Sequence, residues 1–264
     1  MRLTVLGARG SMPIEGEEFA LYGGATSCFG VRAGNEEIFL DAGSGIVHAK
    51  PQSDSNITIL LTHMHLDHII GLPFFSALGQ KVRALDIYSK QRSNLTPREE
   101  LNRLISPPFW PLKIEDYPSD AAFHILPDGE FFIGDVAVDS IEGTHPNGST
   151  IYKLSREGKS IVYATDFEHS DEERCEALIK FAADCDLLLY DAQYTDEEYE
   201  RCRGFGHSTA EIGLIIAEKC RASKIIFVHH APNRTDEQLS AMERKFIERN
   251  KNIAFAKIGD EILL

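Results

Sequence analysis

The sequence has few cysteines and no long apolar run. Its five cysteines are an odd number, and no two of them form a C-x-x-C pair. This pattern excludes a disulfide framework and a zinc knuckle, and it is typical of a reducing compartment. No window approaches the ~18 uninterrupted apolar residues of a membrane-spanning helix. The first residues lack the basic and apolar regions of a signal peptide, so we expect a cytoplasmic protein with no membrane partner.

Positive charge is also scarce. Lysine and arginine total 27 against 41 aspartates and glutamates, which gives a formal net charge of -14 over 264 residues. An excess of negative charge repels the phosphate backbone of nucleic acids and anionic membrane surfaces. We therefore expect no large nucleic acid as a partner. A small phosphate ester held by metal ions is compatible with this charge.

The sequence does contain short apolar runs separated by Gly- and Ser-rich turns, and hydrophobic residues make up 43% of the chain. Runs of this kind are typical of buried strands. They predict strands over Arg2–Leu6, Ser27–Val31, Glu37–Leu40, Ile57–Leu61, Val82–Tyr88, Val136–Ile141, Ile151–Leu154, Ser160–Ala164, Leu187–Tyr190, Ile225–Val228, Ile253–Ala256 and Ile262–Leu264.

Capping signals predict the helices that lie between these strands. Helices are expected over Ile70–Leu78 and after the cap residues Thr96, Ser170, Ser208 and Thr235. The chain has no linker, repeat or low-complexity run. We therefore expect residues 1–264 to form one α/β domain of two layered sheets, with a short lid-like insertion over about 89–120.

One segment places four metal-ligand side chains at the end of a strand. The apolar run Ile57–Leu61 is followed within a few positions by His63, His65, Asp67 and His68. Imidazole and carboxylate groups together suit zinc, manganese or iron. Burial of four such groups without partners costs several kcal/mol, so packing alone does not explain them. The segment therefore predicts a metal site.

Three more residues of ligand type follow apolar strands later in the chain. His145 lies in Gly-Thr-His-Pro, Asp166 lies in Tyr-Ala-Thr-Asp, and His229 directly follows Ile225–Val228. Four ligands from one loop cannot complete the shells of two metals, and these three residues would supply what is missing. His230 is the alternative to His229, which we favour because it comes first after the strand.

The order H-x-H-x-D-H, then H, D and H, resembles the metallo-β-lactamase superfamily over residues 1 to about 232. The resemblance implies a four-layer αβ/βα sandwich with two divalent metals at the rim of the facing sheets, most simply zinc, with manganese or iron as alternatives. One metal would be held by His63, His65 and His145, the other by Asp67, His68 and His229, and Asp166 would bridge them. Asp41, in Phe-Leu-Asp-Ala-Gly-Ser-Gly, matches the aspartate that orients ligands from behind.

Two features narrow the branch of the superfamily. The best-known zinc β-lactamases have cysteine at the position of Asp166, so this aspartate argues against that activity. Residues 206–209, Gly-His-Ser-Thr, look like the His-Ser-Thr motif of RNase Z and of cyclic-phosphate phosphodiesterases. Asp191 sits where RNase Z has a glutamate that orients the catalytic histidine, although aspartate is shorter and no histidine precedes it. The resemblance implies that His207 is catalytic and that Asp191 orients it.

These residues predict a dinuclear metal hydrolase that cleaves a small or cyclic phosphate diester. A water that bridges two metals loses a proton near neutral pH and attacks phosphorus. The leaving alkoxide needs a proton, which His207 is placed to donate. We assign His207, Asp67 and Asp191 to the catalytic set, and we expect a small anionic phosphodiester as substrate.

Three alternatives stay open at this point. A thioester or lactone hydrolase of the same fold would share all seven ligands without a need for His207. A tRNA 3′-processing nuclease would resemble RNase Z, but the long Gly/Pro- and Lys-rich arm of that enzyme has no counterpart in the sequence. A binding protein that retains the metal site would show no turnover. The resemblance also allows a homodimer.

Charge is uneven along the chain. Between Gln80 and Lys113 the sequence has seven basic residues against three acidic ones. Solvated helix faces explain most runs of this kind. The sharper interpretation is that this stretch, beside an aromatic segment, meets an anionic substrate. The basic residues are Lys81, Arg83, Lys90, Arg92, Arg98, Arg103 and Lys113.

Overall fold

The computed structural model describes residues 1–52, 55–80 and 84–264. Within this part of the chain, two sheets of seven strands each form the centre of the molecule. In order of pairing, the first sheet contains β14 (Glu261–Leu263), β1 (Arg2–Gly7), β2 (Cys28–Ala33), β3 (Glu36–Leu40), β4 (Asn56–Leu61), β5 (Ala84–Ser89) and β6 (Ala121–Ile125). The second sheet contains β13 (Ile253–Phe255), β12 (Ile225–Val228), β11 (Leu187–Asp191), β10 (Lys159–Ala164), β9 (Ser149–Arg156), β8 (Val136–Gly143) and β7 (Phe131–Ile133).

Each sheet is antiparallel on one side and parallel on the other. In the first sheet, β1, β2 and β3 pair antiparallel, and β3 to β6 pair parallel. In the second sheet, β7 to β10 pair antiparallel, and β10 to β13 pair parallel. Because parallel strands end at the same edge of a sheet, the loops that follow them gather at that edge.

Helices cover the outer faces of both sheets. Apolar side chains such as Leu3 and Leu154 fill the space between the sheets. The described helices are α1 (Leu66–Ile69), α2 (Pro97–Leu104), α3 (Glu172–Phe181), α4 (Asp196–Cys202), α5 (Ala210–Cys220) and α6 (Asp236–Arg249). The second sheet packs against α3, α5 and α6, and the first packs against α2 and short 3-10 helices. This order of layers confirms the predicted four-layer αβ/βα sandwich. None of the described helices combines the length and apolar composition needed to cross a bilayer.

Two of the predicted helix caps are confirmed and two are wrong by one residue. Thr96 and Thr235 accept backbone N–H bonds at the start of α2 and α6. The caps of α3 and α5 are Asp171 and Thr209 rather than the serines that precede them. Both observed caps have side-chain oxygens that accept from the N–H of the third residue of the helix. The predicted type of cap is therefore correct, and its position is wrong by one residue.

The helix predicted over Ile70–Leu78 is wrong. The chain forms the single turn α1 and then two 3-10 helices, Leu72–Phe74 and Ser76–Gly79. Pro73 lacks the N–H that a continuous helix needs. Gly71 packs so closely that a Cβ atom would lie 2.1 Å from the carbonyl oxygen of Gly43.

The remaining differences concern short elements. The first two residues of the strand predicted over Val82–Tyr88 lie outside the described residues, and the rest forms β5. The strands β6 and β7 and the helix α4 were not predicted. Alanine has low strand propensity, so the sequence at the start of β6 carries little signal. Residues 89–120 contain α2 and the 3-10 helix Ile114–Asp116; their action as a lid stays a prediction.

A half-buried ion pair connects α6 to the sheets. Glu243 accepts hydrogen bonds from the Lys257 ammonium at 2.7 Å, the Tyr22 hydroxyl at 2.8 Å and the Phe255 N–H at 3.0 Å. Burial alone would raise the pKa of Glu243, but these donors outweigh it and lower the pKa below its ordinary value of 4.5. The pair therefore stabilises the fold above about pH 4.5, and this contribution disappears as pH falls through the folded-state pKa.

We expect Glu243→Gln to lower the free energy of unfolding at pH 7 by about 1–3 kcal/mol, because charge-assisted hydrogen bonds are lost. The difference from the wild-type protein should shrink below pH 4.5. Urea unfolding at a series of pH values measures both effects. The exposed Glu248 of the same helix provides the control, Glu248→Gln. A difference that stays constant down to pH 3 would contradict this assignment.

Candidate metal centre

Side chains of ligand type lie on the loops that follow four strands. β4 is followed by the segment His63–His68, β8 by His145, β10 by Asp166 and β12 by His229. The helix α1 turns the first of these segments back over the end of its strand. The two facing sheets therefore bring together residues from both halves of the sequence.

All seven predicted metal ligands lie in one buried or half-buried cluster. Two of its groups have ligand atoms that all lie within 4.8 Å of one another. They are His63, His65 and His145, and Asp67, His68 and His229. These are the two sets that the resemblance implies.

Asp166 lies between these two groups. Its Oδ1 is 3.6 Å from His145 Nε2 and 3.8 Å from His63 Nε2. Its Oδ2 is 3.1 Å from His68 Nε2 and 3.4 Å from His229 Nε2. Each carboxylate oxygen thus faces one group of imidazoles.

Several buried nitrogens of the cluster have no hydrogen-bond partner among the described residues. They are Nε2 of His63, Nε2 of His68 and both ring nitrogens of His229. A buried polar atom without a partner is costly, and divalent cations bound to the three Nε2 atoms would remove that cost for those atoms. Imidazole nitrogens beside carboxylate oxygens are the donor set of zinc and related metals. The residues present therefore fit a metal centre.

The outer nitrogens of two rings in the cluster, those of His68 and His63, contact oxygen atoms. Asp41 accepts from His68 Nδ1 at 2.7 Å, from the Thr62 N–H at 2.8 Å and from the Tyr163 hydroxyl at 2.9 Å. His63 Nδ1 lies 3.0 Å from Thr62 Oγ1, which itself donates to Asp41. A ring that donates through Nδ1 keeps the lone pair of Nε2 toward the cluster, so these contacts set the tautomers of two ligands.

Mutual electrostatics distort the pKa values of the cluster. Burial alone would raise the pKa of Asp166, but the imidazoles of His229 and His68 hold it well below its usual value. Burial alone would lower the pKa of His229, but the carboxylates of Asp166 and Asp67 raise it to about 9. Burial and the nearby His68 lower the pKa of His63. Such a dense mixture of charged and neutral groups is typical of a functional site.

The backbone around the cluster is strained. Asp41, Asp166 and His229 have φ values of 62°, 52° and 61°, in the left-handed region that non-glycine residues rarely occupy. Gly10 approaches the cluster so closely that a Cβ atom would lie 2.4 Å from His229 Nδ1. Strain of this kind persists where surrounding structure enforces it, and it concentrates at functional sites.

His230 points away from the cluster. Its Nε2 donates to the carbonyl oxygen of Ala256 at 2.9 Å, and its ring stacks near Phe255. Burial lowers its pKa to about 3. Of the two adjacent histidines, His229 is therefore the one placed among the ligand-type residues.

His207 and Asp191 form a pair beside the cluster. His207 Nδ1 lies 2.9 Å from Asp191 Oδ2, and its ring centroid lies 4.8 Å from that of His229. Asp191 is fully buried and also accepts from the N–H of Asp166 at 2.9 Å and of Gln193 at 3.0 Å. The missing glutamate and the missing preceding histidine therefore do not prevent a carboxylate from reaching His207.

Among the described residues of the basic stretch, Arg92 does not contribute to a charged surface. Lys81 and Arg83 lie outside the described residues. Arg92 is mostly buried, and it donates to the carbonyl oxygen of Thr62 at 3.1 Å and to Glu142 at 3.0 Å. Arg92 thus braces the backbone next to His63, a role that its position in a charge run does not indicate.

Comparison with known proteins agrees with this geometry. A family model described as "Beta-lactamase superfamily domain" matches residues 36–230. The chain belongs to this superfamily. The match confirms the resemblance to the superfamily that was stated from the sequence. Curated relatives named Ribonuclease Z support the RNase Z-like branch.

The protein of Bradyrhizobium diazoefficiens named Ribonuclease Z is 26% identical to this chain, and the alignment covers 96% of both proteins. The metallo-beta-lactamase fold protein YhfI of Bacillus subtilis is 19% identical, with a TM-score of 0.71 over 99% of both chains. Zn²⁺-bound PqqB of Methylobacterium extorquens is 16% identical, with a TM-score of 0.74 over all of both chains. At this identity the two structures support the fold alone.

Proposed function

We propose that this superfamily member is a metal-dependent hydrolase that cleaves phosphate diesters with two divalent cations. The position of Asp166 carries the proposal, because its two oxygens face two separate groups of imidazoles. His63, His65 and His145 would hold one cation, and Asp67, His68 and His229 would hold the other. When bound, such cations polarise phosphoryl oxygens and lower the pKa of water.

His207 would act as the general acid for the leaving group. Its Nδ1 donates to the buried carboxylate of Asp191, which fixes the orientation of the ring. Its Nε2 is then the atom that hands a proton to the departing oxygen. A thiolate leaves without a proton, so the His207–Asp191 contact favours an alkoxide leaving group over a thioester substrate. A lactone also releases an alkoxide, and the turnover experiment below separates it from a phosphodiester.

The substrate is proposed to be a small or cyclic diester. The net charge of -14 opposes a long polyanion, since each additional phosphate adds repulsion. RNA is the second candidate, because the Bradyrhizobium relative that aligns over 96% of its length is named Ribonuclease Z. Cleavage of cyclic nucleotides without cleavage of a tRNA precursor would support the first candidate, and the reverse pattern would support the second.

The first experiment is hydrolysis of bis-p-nitrophenyl phosphate, with the metal content determined on the same sample. We expect turnover by protein that holds about two cations per chain. Chelation should abolish it, and zinc, manganese or iron(II) added singly should restore it. The surface variant Glu248→Gln, taken through the same chelation and metal addition, is the control and should keep wild-type turnover. Metal-loaded protein that hydrolyses thioesters or lactones but no phosphodiester would overturn the proposal.

A further inference from the structure

Glu168 is a buried carboxylate with no part in the chemistry proposed above. Its side chain is almost completely inaccessible, with 2% of the residue surface exposed. Oε2 accepts from the N–H of Gly206 at 2.9 Å. Oε1 accepts from the N–H of Gly204 at 2.8 Å and from the Tyr199 hydroxyl at 3.1 Å. One charged group thus satisfies two backbone donors of the loop that leads to His207.

The Gly206 peptide also reaches the metal cluster. Its carbonyl oxygen accepts from His145 Nδ1 at 2.9 Å. Gly206 has φ +89°, and a Cβ atom there would lie 2.1 Å from His145 Nδ1. The loop therefore touches the imidazole directly, with no space for a side chain. The N–H of Glu168 donates to the carbonyl oxygen of Thr144 at 2.8 Å, so the loop of Glu168 is also bonded to the loop of His145.

We propose that Glu168 is a positioning residue that fixes both the place of His207 and the tautomer of His145. It acts through Gly206, whose N–H and carbonyl group make the two contacts. Glu168 holds the N–H of that residue, and His145 holds its carbonyl. A carbonyl only accepts, so His145 carries its proton on Nδ1 and turns Nε2 toward Asp166. This inference rests on the proposed function, because it takes His207 to be the general acid.

The geometry explains why a side chain with two acceptor oxygens fits this position. Two neighbouring backbone N–H groups point at one carboxylate, and a carboxylate has acceptor sites on both oxygens. A carboxamide has one oxygen and one NH2 group, so Glu168→Gln would leave one N–H facing another donor. The loop must then shift, and the rings of His145 and His207, whose centroids are 5.2 Å apart, shift with it.

The first test measures the loop without reference to activity. We expect amide exchange of Gly204 or Gly206, followed by NMR in the metal-loaded protein, to become at least about tenfold faster in Glu168→Gln, since a protecting bond is lost. Tyr199→Phe is the matched control, because it removes the third donor to Glu168 and leaves both backbone bonds. Unchanged exchange in Glu168→Gln would overturn the proposal. If that variant does not fold, Glu168→Asp keeps the charge and retracts the oxygens.

The second test separates positioning from general destabilisation. Methyl 4-nitrophenyl phosphate and methyl phenyl phosphate differ in their leaving groups, and only the second depends strongly on proton donation. We expect Glu168→Gln to lower kcat by about 10–100-fold on the phenyl ester and by less than about threefold on the nitrophenyl ester, as for a displaced acid.

His207→Ala makes the outcomes distinguishable. If it discriminates between the two esters and Glu168→Gln lowers both equally, Glu168 is merely structural and the inference fails. If His207→Ala does not discriminate, the general acid of the proposed function fails and the inference fails with it, although the amide exchange still reports the Glu168 contacts by themselves. Discrimination by both variants, with faster amide exchange in Glu168→Gln, supports both assignments.

Discussion

Asp166→Asn is expected to lower phosphodiester hydrolysis by roughly 10³-fold or more, and to lower the metal content from two cations per chain toward one. Asn keeps the size of the side chain and tolerates the left-handed φ of 52° at this position. It replaces one carboxylate oxygen by an NH2 group, which cannot act as a metal ligand. Each oxygen of Asp166 faces one group of imidazoles, so replacement of either oxygen removes the contact with one group.

Metal analysis and turnover of bis-p-nitrophenyl phosphate on the same preparation measure this effect. The exposed carboxylate Asp120 provides the control, Asp120→Asn, which should leave both quantities unchanged. Near-normal turnover by Asp166→Asn with two cations bound would contradict a bridging role. Circular dichroism would show whether Asp166→Asn is folded. If it is not, Asp166→Glu would be tested in place of Asp166→Asn.

His207→Ala is expected to lower kcat by about 10²–10⁴-fold on diesters with poor leaving groups, which is the contribution of a general acid. The loss on nitrophenyl esters should be much smaller, because nitrophenolate leaves without a proton. Metal content should stay the same, since the two proposed sets of three do not include His207. A fall in metal content would instead make His207 a ligand, because its ring nitrogen also lies within 4.8 Å of ligand atoms of Asp166, Asp191 and His229.

Rates on the two methyl aryl phosphates measure this dependence. His48→Ala, at an exposed histidine, is the control. An equal loss on both esters would remove His207 from the role of acid and would bring the thioester and lactone alternatives forward. The expected pattern would also explain why Asp191 is buried and saturated with donors, because a fixed carboxylate holds the ring in one orientation.

The position of the candidate centre could be predicted from the sequence because its residues directly follow strands. His63, Asp166 and His229 each follow an apolar run, so the sequence places them at strand ends, and the resemblance implies that these ends meet at one rim. The resemblance then supplied Asp41, which lies behind His68 as expected. Local patterns were sufficient where a strand, its end and a ligand are adjacent in the chain.

The supporting contacts could not be predicted, since they join residues without a shared local pattern. Tyr163 reads as an ordinary core residue of β10, yet its hydroxyl reaches Asp41. Arg92 reads as part of a charged surface, yet it lies against the backbone of Thr62. Glu168 follows Asp166 by two positions, and only the turn after β10 reveals that its carboxylate faces the His207 loop.

The hydrogen bond from Tyr163 to Asp41 joins the two sheets, so it forms only after both sheets have come together. The residues of the candidate centre come from four loops between residues 63 and 229, so no local hairpin or helix contains a complete set. Contacts between such distant residues form slowly, because a long loop must close first. During synthesis, the complete pocket exists only after β12 and His229 have emerged. We therefore expect cations to bind late, to a sandwich that has already closed, and not to form a nucleus around which the chain collapses.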